Sequence, residues 1–302
     1  MAVSLSLHFP PIKTLHRESY PAISPLRPEN SQAGKTILIT GGAGGIGFAI
    51  ATAFVQASAS HVIILGRRQG FLLNGVKRLE AEARTAGTNT KISGYCSDVS
   101  DLEASEKVWA GLKENDIVVD VLVLNAVALG PTGSLVDANL ESVWKAYEVN
   151  VRSLLDHTQR FYKQQGGRQK YLVSVSSSMA HNLDNENSFL STYGATKNAG
   201  QVLFQQIARD VDPDKLQMIS FHPGAVYSEG AQAGGVTKDM MDVWDDAALP
   251  GNFAVWAATP AARFLHGRFL AAWWDVNELK ADALQEKLKS DWHLLRVGVK
   301  GL

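Results

Sequence analysis

From residue 36 onward the chain alternates short apolar segments with longer amphipathic ones, and this alternation constrains the fold more than any other feature. The apolar segments are rich in Val, Ile and Leu, which is typical of strands buried on both faces of a sheet. Strands that alternate with helices pair in parallel through right-handed crossovers. The sequence therefore predicts an α/β fold with a doubly wound parallel sheet. The predicted strands are 36–39, 62–65, 92–96, 118–125, 171–175 and 217–222, and the predicted helices are 45–57, 73–86, 102–112, 140–165 and 192–211.

The two ends of the chain differ from this pattern. Residues 1–33 contain five of the ten prolines, and proline fixes φ and lacks an N–H donor. We therefore expect an extended N-terminal arm, either disordered or lying on the domain. Residues 34–302 show no compositional break and are predicted as one domain, in which 273–275 end a last strand and 277–289 form a charged helix.

Bulk composition excludes several classes of function. The formal net charge is −1, so no bulk field favours nucleic acid or anionic lipid. No apolar run is long enough to cross a membrane, and no basic residues precede the first apolar ones, which argues against a signal peptide. Cys96 is the single cysteine, so an internal disulfide is impossible, and we expect its thiol to be buried near a strand end. The chain is predicted to be cytoplasmic, without a metal site, a nucleic-acid partner or a membrane partner.

A glycine cluster follows the first strand directly. It reads Thr40-Gly41-Gly42-Ala43-Gly44-Gly45-Ile46-Gly47 and opens the next helix. Residues without Cβ let backbone amides approach a phosphate, and the helix N-terminus adds a partial positive charge. A tight loop without a ligand is the alternative, but the position inside a strand–helix–strand unit favours a dinucleotide site.

The spacing of these glycines is T-G-x-x-x-G-x-G, carried by Gly41, Gly45 and Gly47. In this spacing the chain resembles the short-chain dehydrogenase/reductase family. The resemblance extends from about Thr36 to Asp275 and implies a Rossmann fold that binds a nicotinamide dinucleotide. It also implies cofactor contacts from Thr40 and Ile46.

The end of the second strand predicts which nicotinamide is bound. An acidic residue there would accept hydrogen bonds from the ribose 2′-hydroxyl, whereas arginine pairs with a 2′-phosphate. The chain reads Leu65-Gly66-Arg67-Arg68. We therefore predict NADP(H), with Arg67 as the first choice for the phosphate contact and Arg68 as the second; a solvated basic turn is the alternative.

The resemblance implies further cofactor contacts beyond three later strands. Asp98 and Val99 stand where relatives bind the adenine, although Asp98 also precedes a suitable helix cap. Asn125 and Ala126 match the family motif N-N-A-G, whereas Leu124 and Val127 depart from it, and valine brings a branched side chain to a place where relatives have glycine. Pro223, Val226 and Ser228 match P-G-x-V/I-x-T, whose members contact the nicotinamide carboxamide.

Tyr193 and Lys197 form the most informative pair. Residues four apart on a helix share one face, so the phenol and the ammonium can point into one cleft. A nearby ammonium favours the phenolate and is expected to lower the tyrosine pKa toward neutrality. A Y-x-x-x-K match is weak alone, but its place after the fifth strand and the glycine loop predicts the proton donor and its partner.

The resemblance supplies two more catalytic residues. A serine at the end of the fifth strand polarises the substrate carbonyl in relatives; Ser177 is the first choice and Ser178 the alternative. Asn150, in the long fourth helix, corresponds to the asparagine that holds a water next to the lysine; a helix kink without a catalytic role is the alternative. The interval from these serines to Tyr193 is longer than usual, which indicates an insertion at 182–188.

Taken together, these features predict an NADP(H)-dependent enzyme that interconverts a ketone and an alcohol. Residues 229–249, with glycines and bulky apolar side chains, are predicted to form a lid over an apolar substrate. The arm and the Trp-rich ending are similar to family members of fungal secondary metabolism, and the family implies a homodimer or homotetramer. The alternatives are a non-redox cyclase or dehydratase that keeps NADP(H) bound, and a protein that senses NADP(H).

Overall fold

The predicted α/β sheet is present in the structure. The structure is a computed structural model and describes residues 9, 11–166, 168–181, 190–233 and 235–298. Seven strands lie parallel in the order β3-β2-β1-β4-β5-β6-β7, so the strand order reverses direction beside β1, as in a doubly wound sheet. The strands are β1 Thr36–Thr40, β2 His61–Gly66, β3 Lys91–Cys96, β4 Val121–Leu124, β5 Lys170–Val175, β6 Leu216–His222 and β7 Phe269–Ala271.

Helices cover both faces of this sheet. On one face α1 and α8 pack on alternate strand residues such as Ile37 and Ile39, and on the other α3, α5 and α6 pack on Leu38 and its neighbours. The helices are α1 Gly45–Gln56, α2 Gln69–Thr85, α3 Leu102–Glu114, α4 Leu140–Tyr147, α5 Ser153–Lys163, α6 Ser191–Asp210, α7 Glu229–Ala233, α8 Ala248–Ala257, α9 Val276–Leu279 and α10 Asp282–Ser290. No described helix is long and apolar enough to cross a membrane.

Four sequence expectations need correction. The predicted helix 140–165 is divided into α4 and α5 by a π-helical turn, Glu148–Arg152, whose i→i+5 bonds widen the backbone. The last strand ends at Ala271 instead of 273–275, and the predicted helix 277–289 is divided into α9 and α10, since Ala281 is extended. Cys96 is exposed, because β3 is the edge strand of the sheet and has few covering side chains.

The described part of the arm lies on the domain. It contains two single 3₁₀ turns, Pro21–Ile23 and Pro28–Asn30, each begun by a proline. The side chains of Ile12, Tyr20 and Ile23 are buried in the core face formed by α1 and α8. The Tyr20 hydroxyl donates to the carbonyl oxygen of Trp274 (2.8 Å) and accepts from the N–H of Val276 (3.1 Å). Burial and these bonds fasten residues 12–23 to the end of the sheet.

A buried histidine makes the stability of this fold dependent on pH. His157 of α5 is fully buried, and its Nδ1 accepts from Trp109 Nε1 at 3.0 Å. Burial lowers its pKa from 6.5 to about 4, so the folded state holds it neutral. Above pH 6.5 the His157 side chain is neutral in both the folded and the unfolded state, so its burial does not reduce the free energy of unfolding. As the pH falls from 6.5 to 4, His157 gains a proton in the unfolded state only, and the free energy of unfolding decreases by up to about 3 kcal/mol.

We therefore expect His157→Gln, which retains an acceptor for Trp109, to be less sensitive to acid than the wild type. Urea unfolding across this pH range measures the difference in the free energy of unfolding. Parallel pH curves for the two proteins would contradict the assignment.

Candidate active site

The glycine loop connects the end of β1 to the start of α1. Gly41 and Gly45 have φ of +65° and +54°, the left-handed region that side chains rarely adopt. A Cβ on Gly47 would overlap the carbonyl oxygen of Gly41, so the loop can close on the helix only with glycine there. Ile46, half-buried, packs against the core beside them. The loop presents the N-terminus of a 12-residue helix to an anion, and this cradle fits a pyrophosphate.

Thr40, Asn125 and Ala126 form a support beneath this loop. The Thr40 hydroxyl accepts from the backbone N–H groups of Asn125 (2.9 Å) and Ala126 (3.0 Å). The Asn125 side chain donates to the carbonyls of Thr40 (3.0 Å) and Gly41 (3.2 Å). These bonds tie the loop to the end of β4. A direct contact of these three residues with a cofactor stays a prediction, and Val127, the departure from the motif, is half-exposed just beyond them.

Arg67 and Arg68 are both exposed where β2 ends. The guanidinium of Arg68 lies 4.4 Å from the ring centroid of Phe71. Burial alone would raise the pKa of Asp98, but its bonds from Ser100 (2.9 and 2.7 Å) and the charges of Lys145 and Arg67 hold that pKa below its usual range.

Arg67 and Arg68 are basic, and the turn that they form after β2 contains no carboxylate. This arrangement fits the extra phosphate of NADP(H). Val99, the residue after Asp98, is buried. The cap of α3 is Asp101, whose carboxylate accepts from Glu103 and Ala104, so Asp98 is not the capping residue.

Tyr193 and Ser177 meet at the start of α6. The two side chains are hydrogen-bonded to each other, and Ser177 also accepts from the N–H of Met179 at 3.2 Å. Ser178, the alternative, begins a buried 3₁₀ turn, Ser178–Ala180. The structure thus brings Ser177 to the tyrosine.

Burial raises the pKa of Tyr193, and its bond with Ser177 acts in the opposite direction. The expected lowering by an ammonium is therefore absent from this structure. The cause is the position of Lys197, one turn further along α6. Its Nζ donates to the carbonyl of Val175 at 2.8 Å and lies 5.7 Å from the Tyr193 ring centroid. Burial lowers the pKa of Lys197 to about 8, so the side chain still carries its charge at neutral pH. The neutral phenol that results is the form a proton donor needs.

Asn150 lies in the π-helical turn and joins two parts of the site. Its side chain accepts from the N–H of Ala128 (2.9 Å) and donates to the Ala128 carbonyl (2.7 Å) and to Thr196 Oγ1 (2.8 Å). A cavity of about 30 Å³ is lined by Asn150, Ser176 and Lys197, among others. This cavity is large enough for one water molecule between the asparagine and the lysine. The structure therefore shows the helix distortion, and the part of Asn150 in a proton relay stays a prediction.

The segment after β6 lies beside the glycine loop. Pro223 and Val226 are buried, and Ser228 lies next to Gly45, while its hydroxyl accepts from the N–H of Ala231 at the start of α7. Beyond α7, Trp244 lies 5.1 Å, centroid to centroid, from the ring of Tyr227. Residues 248 and 249 of the predicted lid 229–249 belong to α8, and the lid itself stays a prediction. Gly234 and the insertion at 182–188 lie outside the described residues.

Sequence reasoning missed two side chains of this region. Asp245 accepts from the N–H of Ala225 at 2.7 Å, and His222 Nδ1 accepts from the N–H of Gly224 at 3.0 Å. No local pattern marks Asp245, because the backbone N–H of Ala225 that it accepts from is brought to it by folding. The position of His222 at a strand end was the one available signal.

Comparisons with known proteins agree on one family. The family model described as short chain dehydrogenase matches residues 35–237. A "Short chain dehydrogenase/reductase" of Claviceps purpurea is 34% identical over 96% of this chain and 94% of that protein. "Short chain dehydrogenase/reductase AacuD" of Aspergillus aculeatus is 32% identical over 96% of each chain.

Solved structures share the fold. The Pseudomonas aeruginosa RhlG/NADP active-site complex matches with a TM-score of 0.71 at 20% identity, over 81% of this chain and 97% of that one. A Burkholderia cenocepacia short chain dehydrogenase in complex with NADP matches with a TM-score of 0.67 at 25% identity, over 80% and 96%. A 7α-hydroxysteroid dehydrogenase complexed with NADH matches with a TM-score of 0.70 at 21% identity, over 84% and 96%. Since these complexes include both dinucleotides, the fold alone does not select between them.

Proposed function

The chain belongs to the short-chain dehydrogenase/reductase family of oxidoreductases, and from that premise we propose that it reduces a ketone to an alcohol with NADPH. The observation that carries the proposal is the meeting of Ser177, Tyr193 and Lys197 at the carboxyl ends of the strands, next to the glycine loop. In open α/β sheets, ligands bind at this edge.

The residues divide the reaction among them. NADPH, when bound, supplies the hydride that goes to the carbonyl carbon. The Ser177 hydroxyl donates a hydrogen bond to the carbonyl oxygen and so stabilises the charge that develops there. Tyr193 gives its phenolic proton to that oxygen, which completes the alcohol. Lys197 would hold the nicotinamide ribose, and a proton would return to Tyr193 by way of Lys197 and the cavity that Lys197 and Asn150 line. The reverse reaction uses the same groups.

Arg67 and Arg68 support the choice of NADP(H) over NAD(H). We expect Arg67→Ser combined with Arg68→Ser to raise the KM for NADPH about 10- to 100-fold, because each charge-assisted hydrogen bond to the phosphate contributes about 1.5–3 kcal/mol. The KM for NADH should stay nearly constant. Arg84→Gln is the matched control, since this arginine is exposed in the last turn of α2, away from the strand ends. A wild type that prefers NADH would refute this part of the proposal.

A bulky apolar substrate is part of the proposal. The predicted lid contains Met240, Met241 and Trp244, and the ring of Trp244 contacts that of Tyr227, which precedes the lid. These side chains supply apolar surface, and the relatives named above are fungal. We extend this to a ketone of secondary metabolism, acted on in the cytoplasm, with no nucleic-acid or membrane partner.

A homodimer or homotetramer is proposed as well. Leu140 and Trp144 lie one turn apart on α4 and are 75% and 61% exposed, which supports burial against a second copy.

One assay separates the proposal from its rivals. NADPH absorbance is followed with a panel of aryl and polycyclic ketones, and the products are identified. Stoichiometric oxidation of NADPH with alcohol formation is the expected result. Product without oxidation would establish the cyclase or dehydratase, and binding without product would establish the sensor.

A further inference from the structure

The N-terminal arm reaches the loop after β6 through one arginine. Arg17 Nη1 lies 3.2 Å from Asp245 Oδ1, and the carbonyl of Arg17 accepts from the N–H of Asp246 at 2.8 Å. Arg17 is thus joined to the lid segment by both its side chain and its backbone. The arm is more than 200 residues away in sequence, since the first of these contacts spans 228 positions.

Asp245 in turn holds the loop that begins at Pro223. Its Oδ2 accepts from the N–H of Ala225 at 2.7 Å, and its own N–H donates to the Ala225 carbonyl at 2.8 Å. The same carboxylate fills the space beside Gly224, where an added Cβ would lie 2.6 Å from Oδ2. Gly224 has φ of +97°, so the chain turns sharply at this contact. On the other side, His222 Nδ1 accepts from the N–H of Gly224. The loop is therefore held between Asp245 and His222.

The environment of Asp245 explains why the arginine matters. The Asp245 side chain is only 8% exposed, whereas Arg17 is 62% exposed. A carboxylate so deeply buried needs both hydrogen bonds and a nearby positive charge. Burial raises the pKa of Asp245, while the N–H of Ala225 and the charge of Arg17 lower it.

The arm is fixed on both sides of Arg17. Glu278 accepts from the N–H of Thr14 (3.1 Å), and His16 Nε2 lies 2.8 Å from Asp275. On the other side, Ser19 Oγ accepts from Asn252 at 2.6 Å. The guanidinium is thus presented to Asp245 from an anchored backbone.

We propose that Asp245, held by Arg17 of the arm, is a positioning residue that sets the loop 223–228 against the nicotinamide, so that the arm is a part of the active site. The proposal rests on the proposed function, in which Pro223, Val226 and Ser228 contact the nicotinamide. Cofactor affinity resides mainly in the phosphate contacts at the glycine loop and at Arg67. We call the contact of Arg17 with Asp245 the brace. Loss of the brace therefore misplaces the nicotinamide ring more than it weakens cofactor binding.

The experiment compares Arg17→Gln, Asp245→Asn and Asp245→Ala with Arg27→Gln. Arg27 is the matched control, because it lies on the same arm, is exposed and pairs with Glu29. We expect kcat to fall about 100-fold in Asp245→Ala and about 5-fold in Arg17→Gln, with the NADPH Kd changed less than about 3-fold. Asp245→Asn should recover part of the loss, since the amide oxygen still accepts from Ala225. Arg17→Gln should add nothing further in the Asp245→Asn background.

A second measurement does not depend on turnover. Amide hydrogen exchange of residues 223–228 should be faster in Arg17→Gln and Asp245→Ala than in Arg27→Gln, with or without NADP⁺. If kcat and exchange in Arg17→Gln equal those of the control, the brace is refuted. A lowered Tm with unchanged kcat and exchange would also refute it, because a purely structural contact gives that result. If the wild type binds NADPH but reduces no ketone, the proposed function fails, and exchange still decides on the brace.

Discussion

Tyr193→Phe is expected to lower kcat about 1000-fold while the Kd for NADPH changes less than about 2-fold. The phenylalanine keeps the ring, and so the packing beside Ser177, but has no proton to give to the carbonyl oxygen. Stopped-flow measurement of NADPH oxidation and fluorescence titration of NADPH give the two quantities separately.

Tyr162→Phe is the control for this substitution. Tyr162 lies on α5, and its side chain is 44% exposed. The Tyr162→Phe variant should retain the kcat of the wild type. If Tyr193→Phe kept most of its kcat, another group would have to deliver the proton, and the mechanism proposed here would be wrong.

Gly47→Ala is expected to weaken NADPH binding by about 100-fold or more. The new methyl group would overlap the Gly41 carbonyl oxygen and approach Asn125 Nδ2 at 2.5 Å, so the loop must move away from the helix. The backbone amides would then lose their approach to the pyrophosphate. Isothermal titration with NADPH measures the loss.

Gly111→Ala is its matched control. Gly111 lies in α3, where an added Cβ meets nothing within 4 Å. This variant should bind NADPH as the wild type does and gain up to about 1 kcal/mol of stability from the higher helix propensity of alanine. Equal affinities for the two variants would show that the glycine loop is not the phosphate cradle.

The parallel sheet could be predicted because each strand has a recognisable local sequence pattern. Segments such as 36–39 and 171–175 are apolar and β-branched, and each is followed by a helical pattern. Helix α8 lacked such a signal. It contains Pro250 and Gly251, and because it is buried on all sides it has no polar face to mark a helical period. Gly251 is needed there, since a Cβ would lie 2.7 Å from the Ala49 carbonyl of α1.

The site shows the same division between local and tertiary information. The spacing of Tyr193 and Lys197 follows from helix geometry, so their shared face could be predicted. Their protonation could not, because it depends on burial and on the Val175 carbonyl that receives the lysine. The contact between Ser177 and the phenol likewise could not be predicted, since only folding brings the two hydroxyls together; that Ser177 is the catalytic serine stays a prediction. The brace of Arg17 and Asp245 joins distant segments and leaves no pattern in the sequence.

The most direct test of the central claim is a crystal structure of the protein with NADP⁺. The account predicts that the Tyr193 hydroxyl faces C4 of the nicotinamide ring with Ser177 beside it, and that Lys197 binds the ribose. It also predicts that Arg67 or Arg68 contacts the 2′-phosphate. A complex in which the Tyr193 hydroxyl lies away from the ring, or points into bulk water, would contradict the account.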